Sequence, residues 1–127
     1  MEKEIKINAG VVEARAVLND SPTAQKIWES LPIQARASTW GDEIYFAIPV
    51  KSPLEKEAKE VVDVGDLGYW PTGSAICIFF GPTPMSQGNE VRPASAVNVI
   101  GRVAGDARVF KKVPSGARVK IERAEKE

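Results

Sequence analysis

The stretch Ser74-Ala75-Ile76-Cys77-Ile78-Phe79-Phe80, followed directly by Gly81-Pro82-Thr83-Pro84, decides how the rest of the chain is read. Seven mostly apolar residues are too few for a membrane-spanning helix and suit a central β-strand buried on both faces. The loop behind it is set by chemistry. Its prolines give no backbone N–H to a ladder, and its glycines reach dihedral angles that other residues avoid. Cys77 sits within the apolar run, between Ile76 and Ile78, and reads as a small buried hydrophobe.

Outward from this strand, β signals dominate. Toward the N-terminus, Ile5 and Ile7 alternate with charged neighbours. Val12, Ala14, Ala16 and Leu18 alternate with Glu13 and Arg15, the period of a half-buried strand. Asn19-Asp20-Ser21-Pro22 then marks a helix start. Ser21 can cap, and Pro22 suits the first turn, where its missing N–H would have no partner. Ala24, Ile27, Trp28 and Leu31 recur at helical spacing, so one helix over about 22–31 is expected, with Trp28 buried on its apolar face. Pro32 ends it. Further strands are expected at Ile33–Trp40, Glu43–Ile48, Lys59–Val64, Val97–Val103 and Ala117–Ile121. Gly65-Asp66 reads as a turn, and Gly68–Gly73 as an aromatic-rich loop. Glu55-Lys56-Glu57 reads as a solvated turn. Many short strands with one helix define a mostly β protein, a small closed barrel formed by one domain over residues 1–127.

Composition excludes several functions. The 17 basic and 17 acidic residues cancel, which speaks against nucleic acid as a partner. Histidine is absent and cysteine occurs once. That removes Ser-His-Asp and Cys-His catalysis, an internal disulfide and the usual zinc ligands. Asp63 and Asp66 would hold a hard cation only with further oxygens, and no calcium-loop pattern surrounds them. No metal and no cofactor are expected. No apolar run approaches the ~20 residues that span a bilayer, and no apolar stretch follows a basic one at the N-terminus, so a cytoplasmic, non-membrane protein is expected.

The order of these elements resembles cyclophilin. Val11–Leu31 is similar to that family's opening strand and helix, and Ile48-Pro49 to the end of its F-H-R-I-I-P motif. Gly65-Asp66-Leu67 with Gly73-Ser74 resembles its G-x-L…G-S-Q-F-F-I stretch, and Val99-Ile100-Gly101-Arg102-Val103 its V-F-G-K-V strand. The prolyl isomerase residues do not carry over. The position of the motif's arginine is Phe46, and Gly73-Ser74-Ala75-Ile76 lacks the glutamine and the aromatics. A second resemblance is to uncharacterised prokaryotic proteins with a cyclophilin-like fold. Their pattern is matched by Glu43–Phe46, Gly65–Gly73, Phe79–Pro84 and Val97–Arg102. It implies a cyclophilin-like β-barrel and no established activity.

The candidate site follows from residues that core packing alone does not require. Tyr45, Tyr69, Trp70, Phe80, Pro82 and Pro84 are expected as apolar walls of a pocket at the barrel mouth. Glu43, Thr83 and Asn98 are expected as its polar anchors. Each has a plainer alternative. Tyr69 and Trp70 could be packing, Gly81–Pro84 a rigid connection, and Glu43 a solvent-facing strand carboxylate. Arg92 could draw an anionic ligand or decorate a loop. Three functions remain open: a module binding an unknown small molecule or peptide, an enzyme (a divergent prolyl isomerase or a carboxylate-based catalyst using Glu43), and a structural protein whose exposed aromatics form a homodimer interface.

Overall fold

The computed structural model describes residues 3–124. Nine strands form one antiparallel sheet: β1 Lys3–Ala9, β2 Val12–Leu18, β3 Ile33–Arg36, β4 Ser38–Thr39, β5 Glu43–Ala47, β6 Asp66–Trp70, β7 Ala75–Phe79, β8 Asn98–Ala104 and β9 Arg118–Arg123. Their order is β3-β9-β1-β2-β8-β6-β7-β5-β4. The two outermost strands, β3 and β4, are separated in sequence by Ala37 alone. A chain that leaves one edge of a sheet and enters the other within one residue must curl that sheet round on itself. The result is a nearly closed barrel, the expected fold class.

Alternation along the strands fills the barrel. Ile5, Ile7, Ile44, Phe46, Leu67, Tyr69, Ile76, Ile78, Ile100 and Ile121 point inward and are almost wholly buried. Strand β8 approaches β2 so closely that a Cβ on Gly101 would lie 2.2 Å from the Val17 carbonyl oxygen. Only glycine fits there.

The helix α1, Pro22–Ser30, begins as its capping residues dictate: Ser21 Oγ accepts from the Ala24 N–H at 3.2 Å. Ala24 and Ile27 are fully buried on the core. Trp28 departs from expectation. It is half-buried, because its ring sits at the edge of the helix's apolar face and carries the Arg123 guanidinium, 4.4 Å from the ring centroid. A 3-10 helix over Ala107–Lys112, not legible beforehand, inserts Phe110 against Phe80, with stacked ring centroids 6.5 Å apart.

Four further expectations are corrected. Ile33–Trp40 is split into β3 and β4. Lys59–Val64 is not a strand but makes two isolated bridges, Lys59 to Val97 and Val62 to Val91. The Glu55 carboxylate does not simply face solvent: it accepts from the backbone N–H and the hydroxyl of buried Thr23. The aromatic loop is instead strand β6 with a short 3-10 turn over Pro71–Gly73 behind it. The period was present, with Leu67 and Tyr69 alternating with Asp66 and Gly68, but the glycines masked it. Among the described residues no helix is long and apolar enough to cross a membrane.

Candidate functional site

Strands β5, β7, β6 and β8 turn one face into the barrel and the other outward. The outward face is not bare. Residues 81–97 fold back across it, and Val62, Cys77, Phe79, Val91 and Val97 form a second, smaller apolar cluster, with Tyr45, Trp70 and Val99 packed at its edge. Gly68 makes this possible. A Cβ there would lie 2.9 Å from Val97 Cγ2 and 3.3 Å from Phe79 Cε2, so its missing side chain is the seat of Val97.

Between this covering segment and the sheet lies a cavity of about 190 Å³, lined by Trp40, Glu43, Tyr45, Trp70, Cys77, Pro93, Ala94 and Val97. Strand register accounts for much of it. Tyr45 pairs with Cys77 across β5 and β7, and Cys77 with Gly68 across β7 and β6, so this row points one way. Glu43 shares that face two residues before Tyr45. The rings of Tyr45 and Trp70 stand edge to face, with centroids 6.4 Å apart and planes at 79°. Trp70 is further held by its indole N–H, which donates to Ser95 Oγ at 2.6 Å.

Glu43 is the chemically unusual member. It is only 4% exposed, and its Oε1 is the one buried side-chain oxygen or nitrogen without a hydrogen-bond partner among the described residues. Burial pushes its pKa up from 4.5 to about 7, and the adjacent Cys77 thiol draws it part of the way back. The thiol is itself pushed well up, first by burial and then by the neighbouring carboxylate. Cys77 is therefore a poor nucleophile at neutral pH. The solvent-facing reading of Glu43 fails, because the residues 81–97 cover its face of the sheet.

The structure divides the sequence-derived candidates. Glu43, Tyr45 and Trp70 meet in the cavity. Tyr69 does not: consecutive strand residues face opposite ways, and Tyr69 is fully buried inside the barrel. Its hydroxyl donates to the Val50 carbonyl at 2.7 Å and accepts from Ser52 N–H at 3.2 Å. Asn98 pairs with Tyr69 and points inward with it. Its Oδ1 accepts from Glu55 N–H at 2.8 Å, and its Nδ2 donates to Thr23 Oγ1 at 3.0 Å and the Pro53 carbonyl at 2.9 Å. These two residues pin the 50–55 segment over the barrel. Phe80 is core. The expected convergence of all these stretches at the barrel mouth is thus corrected: the cavity lies on the outer face of the sheet.

Thr83 is spent within its own loop. Its hydroxyl donates to the Arg92 carbonyl, accepts from Met85 N–H at 3.2 Å and lies 3.3 Å from Ser86 Oγ. The Pro82 carbonyl accepts from Asp42 N–H at 2.9 Å, and the Pro84 ring lies against Gly41. Both proline rings are exposed, so this segment acts as a rigid connection beside the cavity. Arg92 is held by Glu90, with Nε 2.7 Å from Oε2. The Asp66 carboxylate binds Arg102 and Asp63 N–H. No grouping of three potential metal ligands occurs among the described residues.

Sequence reasoning missed Trp40, Cys77, Pro93, Ala94 and Val97 as lining residues. Cys77 was detectable from the two-residue period it shares with Phe79. Pro93 and Ala94 carried no local signal, since they reach the cavity only through the path of the covering loop.

A nearly closed antiparallel barrel of this strand order, with one principal helix, defines the cyclophilin-like class. The chain belongs to the cyclophilin-like family, whose model matches residues 3–122. It is similar to a hypothetical protein from Archaeoglobus fulgidus known from its solution structure. The two are 43% identical, the match covers 97% of this chain and 95% of that one, and the TM-score is 0.83. Among curated proteins none matches the chain.

Proposed function

We propose that this protein is a binding module that holds a small molecule, or one side chain of an extended peptide, in the cavity between the outer sheet face and residues 91–97. The observation that carries this reading is a preformed recess, lined by three aromatic rings, with an unpartnered carboxyl oxygen buried in its wall. Packing a core does not call for such an oxygen, and leaving it unsatisfied costs ~1–3 kcal/mol. A ligand that donates a hydrogen bond to it recovers that energy. The volume is below the ~300–1,000 Å³ of sites for drug-sized ligands, which favours a ligand of few heavy atoms.

A carboxylate-based enzyme is a second reading, and the elevated pKa of Glu43 favours it, since a group that titrates near 7 suits proton transfer. The homodimer reading has less behind it: Tyr69 is interior, Trp70 belongs to the cavity wall, and of the exposed large hydrophobics Val11, Leu54, Val61, Val64, Met85 and Val109 only Val61 and Val64 share a stretch of chain.

A fragment screen by two-dimensional NMR tests the binding reading. Saturable ligands should shift the indole N–H signals of Trp40 and Trp70 and leave Trp28 unmoved. Trp70→Ala should weaken such a ligand by roughly 2 kcal/mol if the ring is a central anchor. A screen in which every hit maps elsewhere on the barrel refutes the reading.

A further inference from the structure

Resting on that binding reading, we infer that the cavity selects a protonated alkylamine, with the rings of Trp40, Tyr45 and Trp70 around the cation and Glu43 Oε1 as its hydrogen-bond acceptor and counter-charge. Three observations point to this chemistry. Three aromatic side chains surround one small recess, and the negative faces of aromatic rings attract cations most where water is excluded. The buried acceptor has no donor within the protein, and an ammonium N–H supplies one. No lysine or arginine lines the cavity among the described residues, and nearby Arg92 is engaged by Glu90. An anionic ligand would meet a carboxylate and no counter-charge. A neutral ligand would leave the ionised form of Glu43 uncompensated.

The groups around Glu43 make the inference pH-sensitive in a defined direction. Cys77 on β7 is the titratable group beside it, and Tyr45 lies two residues along β5. The covering segment presents Pro93, Ala94 and Val97, β6 presents Trp70, and the chain before β5 presents Trp40, none of them charged. With a pKa of about 7 in the free protein, Glu43 is mostly neutral at pH 5.5 and mostly ionised at pH 8. A cation binds the ionised form, so affinity rises with pH through this range and binding near neutrality expels a proton.

The probe is butylammonium, with butan-1-ol as its neutral counterpart, titrated into the 15N-labelled protein at pH 5.5 and pH 8. Butylammonium should shift the Trp40 and Trp70 indole signals and bind at least about tenfold more tightly at pH 8 than at pH 5.5. Glu43→Gln should remove about tenfold or more of the pH 8 affinity and abolish the pH dependence. An N-acetylated, C-amidated Gly-Lys-Gly peptide that competes as well as butylammonium assigns the site to a lysine side chain, and one that fails to compete assigns it to a free amine. Equal binding of butan-1-ol, or unchanged binding to Glu43→Gln, overturns the cation inference and leaves the pocket reading intact. If neither probe moves an indole signal, the inference also falls, and the fragment screen decides the broader reading by itself.

Discussion

Replacing Glu43 by glutamine should make the protein more stable at pH 8 and almost indifferent to pH between 5 and 8. In the folded chain the carboxyl titrates near 7, against 4.5 for the free side chain. Between these values the folded state holds a proton that the unfolded state has released. Stability therefore falls as pH rises from about 4.5 to about 7 and stays low above that. At ~1.4 kcal/mol per pH unit, the span corresponds to about 3 kcal/mol, all of it the cost of ionising a desolvated carboxyl. Glutamine keeps the shape and carries no charge, so the cost disappears. The assay is urea unfolding of both proteins at pH 5 and pH 8, followed by tryptophan fluorescence. The double difference isolates Glu43, because the exposed pairs Glu90–Arg92 and Asp106–Arg108 are common to both proteins. The expected outcome is a gain for Glu43→Gln of under about 1 kcal/mol at pH 5, where the span has only begun, and of about 3 kcal/mol at pH 8. Parallel pH slopes for the two proteins would refute the reasoning, since they would mean that Glu43 is solvated and the recess is open water.

Three other outcomes follow from the packing. Asn98→Ala should cost about 2–3 kcal/mol in urea unfolding, because the three hydrogen bonds of a buried amide are lost together, while ligand-induced shifts at Trp40 and Trp70 persist. Phe46→Arg should not create an efficient isomerase: Phe46 is 1% exposed inside the barrel, so the substitution buries an unpaired charge and should cost about 4 kcal/mol or more, with protease-coupled isomerisation staying at background. Gly68→Ala should cost ~1–3 kcal/mol by driving a methyl into Val97, and should displace the Trp70 indole signal as the covering segment lifts.

What could be read in the chain beforehand was whatever local chemistry dictates. Ser21-Pro22 announced the helix start, because a cap and a donor-free first turn are properties of those two residues wherever they sit. Strand β7 announced itself by unbroken apolarity. Strand β6 did not, since Gly68 and Gly73 carry turn chemistry, whereas Gly68 is there to seat a side chain from 29 positions away. That error moved Tyr69 into the candidate site: in a loop it could have pointed with Trp70, and in a strand it must point against it. Glu43 and Tyr45 were placed together correctly because spacing of two fixes their shared face. Whether that face was wet or covered depended on the path of residues 81–97, which no local pattern encodes. The hydroxyl of Thr83 and the amide of Asn98 were legible as hydrogen-bonding groups, but not as groups already taken by their own backbone surroundings.

The seam between β3 and β4 has a consequence for how the molecule is made. Strand β3 has a single partner, β9, and β9 also supplies the second partner of β1. As the polypeptide leaves the ribosome, every other strand pairing can form while those two hydrogen-bonding edges stay open, because among the described strands β9 alone fills them. Residues Arg118–Arg123 act as the zip of the barrel. A nascent or truncated chain that stops before them exposes two ready templates for β-pairing with its neighbours. Deleting Arg118–Arg123 should therefore convert a folded barrel into an aggregating one, a far larger effect than losing so small a share of the core would suggest.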